Sequence, residues 1–335
     1  MLTKLVCPLT MHDIQEIAME DTRKYNRREV IQKGLTLGLI AGGAVVLGKP
    51  DLLMAKGKPS SFPDLVAVKN GEPDAMFIKA IEMMGGMERF VKKGQTVVVK
   101  PNIGFPRLPE VGATTNPLLV KTIIESCYTV GAKRVYVFDN VVTPTSGNAR
   151  NCYRLSGIEE AAKSARGIIV PLDNFSYREV TIPGGKTLKT ADVHSLILDC
   201  DVFINAPILK HHSSTHLSIA MKNLMGIVKN RMEYHLTGLD QCIADFCLYR
   251  RPDLNVVDAY RVLMSQGPSG PSNPQSANVQ MKKTLLMSRD IVAVDAAAAK
   301  IFGKDPESIG YIKIAHAQRT GNMNLKELKI ATYAM

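Results

Sequence analysis

Tryptophan is absent from the chain and aromatic residues make up only 6% of its 335 residues. A platform of stacked rings for bases or sugars is therefore not encoded. The six cysteines contain no C-x-x-C pair, which excludes a zinc ribbon, an iron–sulfur cysteine motif and a locally written disulfide framework. No apolar run reaches the roughly 20 residues that cross a bilayer as a helix. Internal repeats and low-complexity tracts are missing too, and a charged fraction of 22% beside a hydrophobic fraction of 45% excludes long disorder. What is present is an aliphatic, methionine-rich composition with 42 Lys+Arg against 31 Asp+Glu, a net charge of +11. Such a surplus points to nucleic acid, an acidic surface or an anionic ligand.

The first 55 residues differ from the rest. Tyr25-Asn26-Arg27-Arg28-Glu29-Val30-Ile31-Gln32-Lys33 sets two arginines side by side, and a weakly apolar stretch of about 15 residues, Gly34 to Gly48, follows. This arrangement resembles a twin-arginine export signal. It implies the twin-arginine translocase as a partner and the periplasm or the outer membrane face as destination. Cleavage after Ala55 releases the product, and membrane association follows only if the signal stays uncleaved. Residues 1–55 hold 7 basic and 6 acidic side chains, so residues 56–335 keep 35 against 25, a net of +10. The basic character belongs to the exported part, and export argues against nucleic acid as the partner.

Residues 56–335 read as one α/β domain. Buried strands are predicted at Leu65–Val68, Thr96–Val99, Arg134–Phe138, Ile168–Val170, Asp201–Ala206, Asn255–Asp258 and Thr284–Met287. Helical spacing is predicted over Ala75–Phe90, Leu118–Val130, Leu155–Arg166 and Ile291–Phe302, with His194 on a short helix of its own. The alternation implies a doubly wound, mostly parallel sheet with helices on both faces. Residues 177–190, around Pro183-Gly184-Gly185, read as a small inserted hairpin. Sheets of this type bind ligands beyond the carboxyl ends of their strands, where Lys100, Asn102, Asp139 and Asn140 stand. The remaining cysteines read as small core residues.

The densest polar segment is Lys210-His211-His212-Ser213-Ser214-Thr215-His216, followed by Met221-Lys222-Asn223. A strand running into a helix is expected here, with Ser213, Ser214 and Thr215 capping the helix and attracting an anion. If the segment is helical, His212 and His216 stand four residues apart and share a metal ion. Lys210 and Lys222 add positive charge, and Asn223 both donates and accepts.

These segments carry a resemblance. Asn205-x-Pro207-x-x-Lys210-x-His212, then Lys222-Asn223-x-x-Gly226, is similar to the signature of the domain-of-unknown-function 362 family. Val99-Lys100-Pro101-Asn102, His235, Val256-Val257-Asp258-Ala259, Gly267-Pro268 with Gly270, and Ser288-Arg289-Asp290-Ile291-Val292-Ala293-Val294-Asp295 follow the same order. The resemblance runs from about residue 64 to 330. It implies an acid at Asp295 beside the Lys-Asn motif, and it assigns no reaction. The candidate ligand-binding set is Lys100, Asn102, Lys210, His212, His216, Lys222, Asn223 and Asp295, for an anionic small molecule or a metal ion. The competing reading is a non-catalytic partner or assembly factor of an exported redox or metal complex, whose basic surface docks to an acidic subunit.

Replacing Arg27 and Arg28 together by Lys is expected to hold the protein in the cytoplasm. Fractionation of cells carrying the double-Lys form checks this, and normal transport of that form would remove the export reading.

Overall fold

Seven strands of an eight-stranded sheet run in one direction and a single strand opposes them. The computed structural model describes residues 62–142, 146–170 and 176–335, which belong to one compact unit, Ser61–Met335. The export signal lies outside the described residues. In chain order the main strands are β1 (Leu65–Lys69), β2 (Thr96–Pro101), β3 (Arg134–Val137), β4 (Ile168–Ile169), β7 (Val202–Ala206), β10 (Leu254–Leu263), β11 (Val279–Ser288) and β12 (Ile330–Ala334). Their order across the sheet is β12-β1-β11-β10-β7-β2-β3-β4, with β11 the antiparallel member.

The strands at the centre are apolar over most of their length because both of their faces are covered, and Lys100, Asn205, Asn255 and Asp258 interrupt the runs. Val97 and Val99 of β2 face a layer made by α1 (Pro73–Met83) and α2 (Pro117–Thr129), through Phe77, Leu119 and Ile123. Val98 points the other way, into a layer built by α8 (Leu239–Tyr249), α9 (Ile291–Phe302) and α10 (Gly310–Ala317), through Phe246, Val294 and Tyr311. The alternation within three residues is the period of two that a strand imposes. The doubly wound α/β reading is therefore correct. Among the described residues no helix is long and apolar enough to cross a membrane.

The expected helix over Leu155–Arg166 is instead two, α3 (Ser146–Leu155) and α4 (Ile158–Ser164). Gly157 separates them with φ 71°, a left-handed conformation that ends one helix and starts the next. The inserted hairpin is present as β5 (Tyr177–Thr181) and β6 (Thr190–His194). His194 does not lie within a helix. It ends β6 and caps α5 (Ser195–Asp199), where its Nδ1 accepts from the Leu196 N–H at 3.2 Å.

The helix expected at Ser213–Thr215 is also absent. The chain turns back there into a hairpin, β8 (Lys210–His212) with β9 (His216–Ser218), and His212 faces His216 across it. Local bonds compete with the helix at this point. The Ser214 N–H donates to His212 Nδ1 at 3.1 Å, the Thr215 hydroxyl donates to the Leu217 carbonyl at 3.0 Å, and His216 takes φ 62°. The helix begins only at α6 (Ala220–Asn223) and continues as a 3-10 turn, Leu224–Ile227.

Helix α9 keeps its expected bounds because Asp290 caps it, accepting from Val292 N at 2.8 Å and Ala293 N at 3.0 Å. The other carboxylate oxygen accepts from Asn322 N at 2.8 Å and ties down the segment after α10. Asp290→Ala is expected to cost about 1–2 kcal/mol, read as a lower urea midpoint with an unchanged denaturant slope.

Candidate functional site

The carboxyl ends of β2, β3 and β7 converge on one lysine. Lys100 is fully buried at the end of β2, and an ammonium there must be matched or lose its charge. Asp139, just past β3, places Oδ1 2.7 Å from its Nζ. The Pro101 carbonyl and Asn223 Oδ1 each accept from the same Nζ at 2.9 Å. Burial pulls the Lys100 pKa down and the Asp139 charge opposes that pull. Asp139 in turn accepts from the Ile103 N–H at 2.6 Å.

Asn223, at the end of α6, is the hub. Its Oδ1 also accepts from Asn102 Nδ2 at 3.0 Å, and its Nδ2 donates to Asn205 Oδ1 at 2.8 Å. Asn205 Nδ2 passes the bond to Asn255 Oδ1 at 3.1 Å, and Asn255 Nδ2 reaches the Ser288 carbonyl at 3.3 Å. At the other end, Asn102 Oδ1 accepts from Lys210 Nζ at 3.1 Å. One amide chain thus links strands β11, β10, β7 and β2 to the hairpin strand β8, and the lysines at one end set the direction in which every amide points.

Lys210 is buried and has no carboxylate within ion-pair distance among the described residues. Its Nζ donates to Asn102 Oδ1 and, at 2.6 Å, to the Ala113 carbonyl, and it lies 5.4 Å from the centre of the Phe105 ring. Two acceptors satisfy a neutral amine as well as an ammonium. Burial accordingly pushes the Lys210 pKa down to about 7, with Lys222 and Lys100 adding repulsion against partial support from Asp139. Lys222 is similar: its Nζ meets the Met225 thioether at 2.9 Å, and burial with Arg231 nearby pushes it down to about 8. His212 is buried beside both lysines and is pushed down to about 3, first by burial and then by their charges. It is neutral at any ordinary pH.

Two residues that the sequence reading left out of the site belong to it. Arg231, on α7 (Arg231–Thr237), is half-buried and donates from Nη2 to the carbonyls of Asn140 and Val141, each at 2.7 Å. Its charge reaches Lys100 and Lys222. Gly226 passes against the Lys100–Asp139 pair, where a Cβ would collide with the Asp139 carboxylate and stand 2.7 Å from Lys100 Nζ. The spacing Lys-Asn-x-x-Gly carried the Gly226 signal, and nothing in the sequence singled out Arg231.

Lys100, Asn102, Lys210 and Asn223 are therefore in one bonded network, with His212 and Lys222 adjoining it. His216 is not: it is exposed on the far strand of the hairpin. The helical spacing that made His212 and His216 a metal pair does not exist. Among the described residues no group of three or more His, Cys, Asp or Glu side chains is disposed to hold a metal ion. Asp295 does not face the cluster either. It stands in the second turn of α9 and accepts from the N–H groups of Ala220 at 2.7 Å and Met221 at 3.0 Å. It caps α6 from behind, so it positions Lys222 and Asn223 without touching what they touch. Asp258 serves β10 and the start of α2, accepting from Tyr260 N at 2.9 Å and Asn116 N at 2.8 Å. Lys210, Lys222 and Arg231 give the cluster a surplus of positive charge, and burial brings the Lys210 amine within reach of titration near pH 7.

Asp139→Asn leaves Lys100 buried without its counter-charge, and is expected to cost roughly 3–5 kcal/mol in chemical denaturation. Adding Lys100→Met to that variant should recover part of the loss, because no unpaired charge is then left buried.

A family profile described as "Domain of unknown function (DUF362)" matches residues 97–300. A thylakoid-associated protein of Synechocystis is 27% identical over 243 residues, covering 68% of this chain and 70% of that protein. Among solved structures, the lactate racemase apoprotein of Thermoanaerobacterium thermosaccharolyticum superposes with a TM-score of 0.41 at 11% identity over 73% of this chain. A protein of Thermotoga maritima gives 0.40, 11% and 74%. The chain spans 57% and 60% of those two proteins, less than two thirds of either. With residues 97–300 matched, more than half of its length, the chain belongs to the DUF362 family, whose function is undefined.

Proposed function

We propose that this protein binds a small anion, carboxylate- or phosphate-bearing, at the Lys210, His212, Lys222 and Asn223 cluster beyond the strand ends. The observation that carries the reading is an imbalance of buried charge. Asp139 is the acid whose charge reaches Lys100, Lys210 and Arg231, and it is already paired with Lys100, while Lys222 feels the charge of Asp240 with no carboxylate at ion-pair distance among the described residues. Buried cations without partners cost folding free energy, and a bound anion supplies the missing charge. The burial of Lys210 favours a small ligand over a docked protein, whose acidic side chains reach only exposed lysines. Asn102 and Asn223, locked by the amide chain, orient the ligand.

Export by the twin-arginine translocase to the periplasm or the outer membrane face is part of this reading, resting on Arg27-Arg28 and the short apolar stretch after them. A relative named for its association with thylakoids is in keeping with a life beside a membrane.

The test is thermal unfolding with and without inorganic phosphate or succinate. Wild type should be stabilised, by roughly 2.7 kcal/mol at a hundred times the dissociation constant, and Lys210→Met should show no ligand-dependent shift. Without ligand that variant leaves two acceptors unmade, a loss of about 1–3 kcal/mol.

The pH dependence has a sign that separates binding from folding. The folded pKa of Lys210 lies below its unfolded value, so the folded protein binds fewer protons between about pH 7 and 10.5 and gains stability from Lys210 as pH rises through that window. Anion binding needs the ammonium, so affinity should fall over the same rise. The charges bearing on Lys210 are Asp139 after β3, Lys100 on β2 and Lys222 on α6. Calorimetry in buffers of different ionisation enthalpy should show proton uptake on binding above pH 7. Affinity independent of pH from 6 to 9 would overturn the role given to Lys210.

A further inference from the structure

Beside the cluster the structure holds an open cleft of about 490 Å³, within the range of small-molecule sites. Its lining divides by chemistry. Arg231 and Asn140 stand on one side, and Val142, Met232 and Leu236 supply an apolar wall. Those three side chains are 47%, 65% and 79% exposed. Met232 and Leu236 are four residues apart on α7, so they share one face of that helix. Three exposed apolar side chains at one cleft offer a surface that an aliphatic chain can cover.

Arg231 is the polar half. Only its Nη2 makes hydrogen bonds among the described residues, both to carbonyls, and no carboxylate pairs with it. Lys229 also lines the cavity, and Glu233 is the one acid there. An uncharged apolar ligand leaves the half-buried Arg231 guanidinium without a counter-charge at ion-pair distance, and a small hydrophilic anion leaves Val142, Met232 and Leu236 in water. We propose that the cavity takes an anionic amphiphile, with a carboxylate or phosphate head on Arg231 and an aliphatic chain along Val142, Met232 and Leu236. The sign of the charge rests on the anion reading above, and the inference adds the class of ligand. The source of such a molecule is either free solution or the surface of a bilayer.

Calorimetry on the full chain with butyrate, octanoate and octanol tests the proposal, with phosphatidylglycerol vesicles as a separate arm. Each buried methylene is worth about a fourfold gain, so octanoate should bind on the order of 100-fold tighter than butyrate. Octanol, with the tail and no charge, should bind at least about tenfold weaker than octanoate, the value of one charge-assisted hydrogen bond. Leu236→Asp, at an exposed position that does not threaten folding, should abolish the chain-length gain while leaving the Lys210-dependent shift with phosphate intact. Arg231→Gln should remove the preference for octanoate over octanol. Octanoate binding alone supports a free ligand, and octanoate with vesicle binding supports a lipid drawn from the bilayer. Vesicle binding without octanoate binding makes the apolar wall a membrane-docking surface and overturns the proposal. If octanoate binds no tighter than butyrate while phosphate still acts through Lys210, the amphiphile is wrong and the anion site stands. If neither anion binds, both readings fall.

Discussion

An ammonium sealed at the end of the central strand governs how the rest of the molecule is arranged. Lys100 has no access to water, and its partners come from β2 itself, from the segment after β3 and from the end of α6. Those three pieces are distant in sequence and meet only if the sheet is in register and α6 is seated. The seat of α6 is in turn held by Asp295 across the gap to α9. The same lysine requires Gly226 to have no side chain. A polar requirement at one atom thus constrains two sheet strands, two helices and a turn. Buried networks of this kind add little to stability and much to specificity when every member is satisfied.

The other cations follow a different rule. Among the described residues, the partners of Lys210, Lys222 and Arg231 are carbonyls, an amide, a thioether and a ring, with no carboxylate at ion-pair distance. A sequence selected for stability alone would place Met or Leu at such positions. Local violations of consistency of this sort are the kind expected at functional sites, which is the ground for the anion proposal.

Seven of the eight sheet strands were legible because they carry mostly apolar runs flanked by turn residues, whereas β12, an exposed edge strand, was not; α9 was legible because Asp290 precedes an unbroken row of helix formers. The break at Gly157 was harder to see, since one glycine inside a helical pattern is often tolerated. The segment from Lys210 to His216 misled for a physical reason. Serine and threonine cap helices and also turn hairpins by the same side-chain bonds, and the choice between them was made by tertiary partners: Ile208 bridging to Asp258, and the Gly267 N–H on His211 Nδ1. Lys100, Asn102, Lys210 and Asn223 were readable because strand ends and motif spacing put them together. The resemblance places Asp295 beside the Lys-Asn motif, and no spacing rule shows that its carboxylate caps the helix of that motif instead of facing a ligand. Arg231 is one cation among many in a basic chain until α7 places it.

Strand β1 has a consequence for how the chain is made. Its two neighbours in the sheet are β11 and β12, so Leu65 pairs with Ser288 and with Ile330. A nascent chain can assemble β2, β3, β4 and β7 as each parallel unit is completed, yet the earliest strand stays unpaired until residues 284–288 and 330–334 have left the ribosome. Contacts that span so much sequence form slowly. The sheet therefore closes late in synthesis, and a chain truncated before β11 displays an open apolar edge that chaperones and proteases recognise.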